Sequence, residues 1–258
     1  MVQSGNRNAS KTRGDDYWTA ARSPLCCLIF LIPLLAAYEV GIIWLGGTNP
    51  EFLRNGADYW MRVWLEQQGS PLPWLLPFLV VATLLSWQVA GKFPYTCRLE
   101  TLVGMAAESL LFACVLLLLA QGQEWLFRTY FGPVDLAITN RALAYPSLAR
   151  IVSFLGAGIY EEVLFRLLAI PVAQVAFRVL LVPPRYTLSA SILATSLLFS
   201  LAHYLGPAAD TFSTYSFLFR SLAGVFFALL FVIRGFGITV GAHAGYDLLV
   251  GVLLKSAA

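Results

Sequence analysis

The chain has 258 residues, of which 59% are apolar and 12% charged, with a formal net charge of +3. Soluble domains carry roughly one-quarter charged residues, so this composition excludes a freely soluble globule and assigns the chain to a bilayer. The small positive charge is spread over termini and loops, without a basic block interleaved with aromatics, which argues against a nucleic-acid partner.

Residues 1–23 form a polar tail carrying Arg7, Lys11, Arg13 and Arg22 against Asp15 and Asp16, read as a disordered cytoplasmic segment. The apolar run from Pro24 to about Leu45 exceeds the hydrophobic region of a cleaved signal peptide and is read as a retained first span. Residues 46–71 carry Glu51, Asp58 and Glu66 among several Trp and Tyr residues, which suits an interfacial segment with an aromatic belt. Further spans are predicted at about Leu72–Ala90, Leu99–Ala120, Leu148–Ile170, Leu188–Leu205, Phe212–Ile233 and Gly237–Leu254, stretches near the length that crosses about 30 Å of hydrocarbon. None alternates as a barrel strand would, so the fold class is all-α: a polytopic transmembrane helix bundle of about seven spans, within a range of six to eight. The apolar stretch from Pro171 to Pro184 either prolongs the fourth span past a kink or lies in the interface. Residues 24–258 form a single transmembrane domain. Basic residues in the connectors, Lys92, Arg98, Arg178, Arg185 and Arg234, share a side with the N-terminal tail, which predicts N-terminus in.

Cys26, Cys27, Cys97 and Cys114 have neither metal-ligand spacing nor the pattern of a secreted disulfide framework, and are read as small apolar residues. The vicinal Cys26 and Cys27 also carry a weak acylation signal.

An ionisable residue inside a spanning helix costs about 2.5–3.5 kcal/mol even on a lenient scale, so clustered ones point to function. The densest cluster is Gly158-Ile159-Tyr160-Glu161-Glu162-Val163-Leu164-Phe165-Arg166. On an α-helix Glu162 and Arg166 lie one turn apart and can pair, while Glu161 points elsewhere and stays available as a base or ligand. Charges at a helix end that reach the headgroups would be the simpler account. The chain's two histidines, His203 and His243, both fall in apolar helices. Two imidazoles and a carboxylate are the usual protein ligands of catalytic zinc, which leaves a fourth position for water. Asp247 lies four residues after His243 and can orient an imidazole or a bound water. Gly237, Gly241 and Gly245 form a small-residue stripe read as packing. Glu39 and Glu108 are read as structural carboxylates, and Arg220 as an interfacial anchor.

Three motifs together resemble the CAAX-protease and bacteriocin-processing family of intramembrane peptidases, related to the type II CAAX prenyl endopeptidases. They are Glu161-Glu162-x-x-x-Arg166, Phe199-x-x-x-His203 and His243-x-x-x-Asp247, in the family's order, over a core of about residues 148–255. The departure is Asp247, where the family commonly has Asn. The resemblance implies an endopeptidase acting on a peptide or a lipidated protein near its C-terminus, with the active site inside the bundle. It also implies roles. Glu161 activates water and Glu162 with Arg166 shapes the site. His203 partners the base or ligates a metal. His243 with Asp247 stabilises the oxyanion or completes coordination. The metal set would be Glu161, His203 and His243 around Zn2+ or another divalent ion, with a metal-free glutamate mechanism as the other option.

Amide hydrolysis needs a base, a water and a group facing the oxyanion, and carboxylate with imidazole can supply them. On the predicted boundaries, however, His203 lies near the outer end of the fifth span and His243 near the inner end of the seventh. A shared site therefore requires shorter, tilted or broken helices. The competing readings are a proton-relay protein or transporter, which would give flux instead of cleavage, and a catalytically idle membrane scaffold or immunity factor.

Overall fold

A computed structural model describes residues 17–47, 53–132, 147–206 and 209–254, and among them every regular element is helical. In chain order these are α1 (Pro24–Gly46), α2 (Gly56–Gln67), α3 (Leu75–Ala90), α4 (Leu99–Phe131) and α5 (Ser147–Gly156). Two π-helical segments follow, π1 (Ala157–Glu161) and π2 (Val163–Ala169), then α6 (Ile170–Val179), α7 (Pro184–Ala202), α8 (Thr214–Arg234), α9 (Phe236–Leu248) and a third π segment, π3 (Leu249–Leu254). Among the described residues α1, α4 and α8 are long and apolar enough to cross a membrane, and α3 and residues 236–252 are shorter apolar helices.

Helix α9 sits at the centre, packed against α4, π1, α8 and α1. The glycine stripe explains its approach to α4. A Cβ on Gly237 would stand 2.6 Å from Met105 Cε, one on Gly245 3.3 Å from Ala113 Cβ, and one on Gly241 would collide with Ser109 Oγ. The stripe is packing, as read. Close helix contact also lets buried hydroxyls bridge neighbours: Ser109 Oγ donates to Ile238 O at 3.3 Å, and Ser200 Oγ to Phe217 O at 2.7 Å, tying α7 to α8.

Several expectations need correction. Residues 17–21 are helical, and the Tyr17 ring lies against Gly104 of α4, so the disordered reading of the tail does not hold for them; residues 1–16 lie outside the described part. The segment after α1 is not simply interfacial. Asp58 is fully buried and Arg62 nearly so, because α2 turns a polar face inward onto π1; Glu51 lies outside the described residues. Of the two alternatives for the stretch after Ile170, the structure shows the first: the helix of the fourth span runs on through Pro171 to Val179. Proline lacks an N–H to donate, and Pro171 sits where hydrogen bonding returns from π to α register. Cys26 and Cys97 form a disulfide between the start of α1 and the segment before α4, and Cys27 is buried, so neither vicinal thiol is free for acylation. Arg234 is not a free connector charge, since it meets Glu108 through two 2.7 Å contacts. Arg220 pairs with Asp210 and lies against the Tyr204 ring.

Candidate active site

The two histidines converge even though α7, with 19 residues, is no shorter than its predicted span: both imidazoles lie within 4.0 Å of Glu161. Helix α7 ends at Ala202, which leaves His203 as its C-cap, while His243 lies midway along the 13-residue α9. Glu161 closes π1, and Glu162 joins it to π2. Gly158 makes the approach possible: a Cβ there would stand 2.7 Å from both the backbone nitrogen and the Cβ of Ala244, next to His243.

The π register alters what the two glutamates can reach. Bonding from i to i+5 widens the turn, so neighbouring side chains diverge less than on an α-helix. Glu162 does pair with Arg166, at 3.1 Å from Oε2 to Nε, as the i,i+4 spacing predicts. Glu161 lies off that pair, as the sequence reading had it, but it still shares a partner with Glu162. Both carboxylates meet the same imidazole, with Glu162 Oε1 2.7 Å from His243 Nδ1 and Glu161 Oε2 3.8 Å from His243 Nε2. Asp247 Oδ2 is 3.6 Å from that same Nε2. His203 Nε2 faces Glu161 Oε2 from the other side at 4.0 Å. The six polar residues of the three motifs therefore lie in one cluster.

The surroundings fix which ring nitrogens carry protons. A carbonyl oxygen can only accept, so His203 Nδ1 donates to Phe199 O at 2.8 Å and turns Nε2 toward Glu161. His243 Nδ1 donates to the Glu162 carboxylate, whose charge Arg166 balances. Arg166 is itself held by Gly224 O at 3.3 Å and by the faces of Phe199 and Phe227, 4.6 and 5.4 Å from its guanidinium carbon. Phe227 stacks on the His243 ring at 4.5 Å, and Phe199 meets the His203 ring edge-on at 5.0 Å. Glu162 and Arg166 are buried; Glu161, His203 and Asp247 keep some exposure, with side chains 14%, 24% and 21% accessible. The accessible side of the cluster is thus its Glu161–His203–Asp247 face.

The metal expectation meets a geometric difficulty. Among the described residues no group of three or more His, Cys, Asp or Glu side chains is arranged to hold a metal ion. Neighbouring ligands on tetrahedral zinc with bonds near 2.0 Å stand about 3.3 Å apart. Glu161 Oε2 is 3.8 and 4.0 Å from the two imidazole nitrogens, so these donors as arranged do not fit the ion, and no step below runs through one.

The first half of the chain supplies residues that the motifs did not reveal. Asn55, at the start of α2, turns Nδ2 toward Glu161 Oε1 at 3.5 Å. Behind it lies a buried ionic network: Arg62 pairs with Asp58 at 2.6 Å and with Glu39 at 2.9 Å, and Arg54 pairs with Asp58 at 2.8 Å. Tyr38 donates to Asp58 at 2.6 Å, and Tyr160, the residue before Glu161, donates to Glu39. The i,i+4 pair Asp58 and Arg62 was the available sequence signal, since an acid and a base on one helix face can serve buried partners as well as water.

Residues 143–249 match a family model described as Rce1-like, Type II CAAX prenyl endopeptidase Rce1-like. That is the family resemblance drawn from the three motifs, and the matched segment contains all of them. No curated protein and no solved structure matches the chain.

Proposed function

We propose, from the premise that residues 143–249 are a type II CAAX prenyl endopeptidase Rce1-like domain, that this integral membrane protein is an endopeptidase in which Glu161 activates water. The substrate class is a membrane-associated or lipidated protein cut near a CAAX-type C-terminus. One observation carries the mechanism: the Glu161 carboxylate faces the Nε2 atoms of His203 and His243 at 4.0 and 3.8 Å, on the accessible side of a cluster otherwise closed by aromatic rings. Those separations suit a single water that hydrogen-bonds to two of the groups at once.

In this reading the water gives one hydrogen to Glu161 Oε2 and directs the other to the free Nε2 lone pair of His203. Glu161 takes the proton as the water oxygen adds to the scissile carbonyl carbon. When the tetrahedral intermediate collapses, the C–N bond breaks and the leaving amine recovers the proton from Glu161. Glu162, charge-balanced by Arg166, holds the His243 ring through Nδ1, and Asp247 faces the other ring nitrogen, so His243 keeps a fixed orientation beside the base.

The test is cleavage of a prenylated CAAX peptide and of an unprenylated peptide library by purified protein in liposomes. Glu161→Gln and His203→Ala are expected to lose activity by about 10²–10⁴, the usual contribution of a general base, while remaining folded in detergent. Wild-type rates in both variants would remove the assignment.

A further inference from the structure

A protein cut near its C-terminus presents a group that no internal stretch of chain has, a free carboxylate a few residues beyond the scissile bond. Three extended residues span about 10 Å, so a side chain that recognises this anion belongs beside the base and not in contact with it. Helix α8 brings a cation to that neighbourhood. Its first two turns lie between the end of α7 and the end of α9: Ser200 Oγ donates to Phe217 O at 2.7 Å, the Phe219 ring meets the Tyr246 ring at 6.0 Å, and the Arg220 guanidinium carbon lies 5.4 Å from the centre of the Tyr204 ring. Tyr204 and Tyr246 are the chain neighbours of His203 and Asp247, and the Arg220 charge lies within electrostatic range of both. Asp210 ties the corner together, since its N–H donates to His203 O at 2.9 Å and its carboxylate accepts from Arg220 Nη2.

One edge of this guanidinium is therefore held, and the other is open. Arg220 Nη1 is buried and has no hydrogen-bond partner. Among the described residues Arg166 Nη1, Arg234 Nη1 and Arg150 Nε are in the same condition, but none of them faces the accessible side of the cluster. Arg166 is shut in behind Glu162, Arg234 lies against Trp18 and Glu108 at the other end of α8, and Arg150 is engaged with Gly251 O. The Arg220 side chain keeps 13% accessibility. A buried donor without a partner is costly, and a planar fork with one open edge matches a carboxylate. The corner also holds two acids, Asp210 and Asp247, so no general positive field draws an anion to it. Recognition must come from direct hydrogen bonds to the open edge.

We propose that Arg220 is the receptor for the substrate's C-terminal carboxylate, resting on the C-terminal cleavage assigned above. The Nη1 edge takes the carboxylate while Asp210 holds the other edge still. The anchored end then sets how many residues separate the cut from the terminus.

The probe is a pair of prenylated CAAX peptides of one sequence, ending in a free acid or in a carboxamide, cleaved by full-length protein in liposomes. Wild type is expected to cleave the acid with a kcat/KM about 10- to 100-fold higher, mainly through KM, the usual worth of a charge-assisted hydrogen bond. Arg220→Gln is expected to bring the acid-to-amide ratio close to one by slowing cleavage of the acid alone. Arg220→Gln with Asp210→Asn removes both charges of the pair, leaves neither uncompensated, and is expected to do the same should the single variant not fold. Each ratio is taken within one preparation, so a smaller active fraction cancels. Equal cleavage of acid and amide by wild type overturns the proposal, and so does a wild-type ratio in either folded variant. A parallel Glu161→Gln sample separates this claim from the one beneath it: an active Glu161→Gln removes the hydrolysis reading itself, whereas an inactive Glu161→Gln beside a wild type indifferent to the amide removes the carboxylate receptor alone.

Discussion

Gly158→Ala should disable the site without touching any polar group in it. The new methyl would stand 2.7 Å from Ala244 N and Cβ, against the 3.4 Å at which ordinary van der Waals contact begins, so α9 and π1 must part by about 0.7 Å. Two of the contacting atoms are backbone or directly attached to it, so no flexible side chain can absorb the overlap. His243, the residue before Ala244, would move with it, and its 2.7 Å bond to Glu162 would stretch toward about 3.4 Å, past the range of a normal N–H···O bond. Its gap to Glu161 widens in step. Misplacement by about 1 Å can cost about a hundredfold in rate, so kcat is expected to fall between ten- and a hundredfold, with overpacking costing about 1–3 kcal/mol in stability. The control is Gly245→Ala on the same helix, where the added methyl meets only Ala113 Cβ at 3.3 Å and should be nearly silent. The assay is peptide cleavage in liposomes, with a detergent unfolding curve for each variant. Folded Gly158→Ala protein within twofold of wild type would refute the view that close approach at this glycine sets the geometry of the site.

Removing Arg62, one of the two cations of the inner network, should damage stability more than chemistry. Arg62→Met leaves Glu39 and Asp58 short of a buried counter-charge and is expected to cost about 3–5 kcal/mol in unfolding free energy, with part of the loss recovered when Glu39→Gln is added. Equal stability of Arg62→Met and the double variant would show that the two side chains are not coupled. Because Glu161, His203 and His243 do not fit zinc as they stand, prolonged dialysis against a strong chelator is expected to leave the cleavage rate unchanged; activity lost to the chelator and restored by one divalent ion would mean that the donors close around that ion in the working enzyme.

How far the sequence carries depends on the distance over which each interaction acts. Composition and span-length runs were enough for an all-helical membrane protein, because the bilayer acts on every residue of a helix alike. Three local motifs were enough to pick out six side chains of the site, because each motif spans one or two turns. The Glu162–Arg166 pairing followed directly from i,i+4 spacing. What escaped depends on partners far apart in the chain: Asn55 reaches Glu161 across 106 positions, Tyr160 reaches Glu39 across 121, and the Cys26–Cys97 disulfide spans 71. No periodicity records such pairings.

The errors in the predicted helix ends had a related cause, since a hydropathy run measures where apolar residues stop, whereas a helix stops where its hydrogen bonds do. Leu205 is apolar, yet α7 has ended at Ala202; Gly251 and Val252 continue an apolar run, yet the α register has already given way to π at Leu249. In the π segments at residues 157–161 and 163–169 the wider turn brings neighbouring side chains closer in direction than an α-helix would, and the two glutamates face the two ring nitrogens of His243. Charged residues packed among apolar ones are thus a reason to doubt that a helix is regular there. At such places the backbone bends to the needs of the polar groups, and predicted boundaries deserve the least weight where the chemistry is densest.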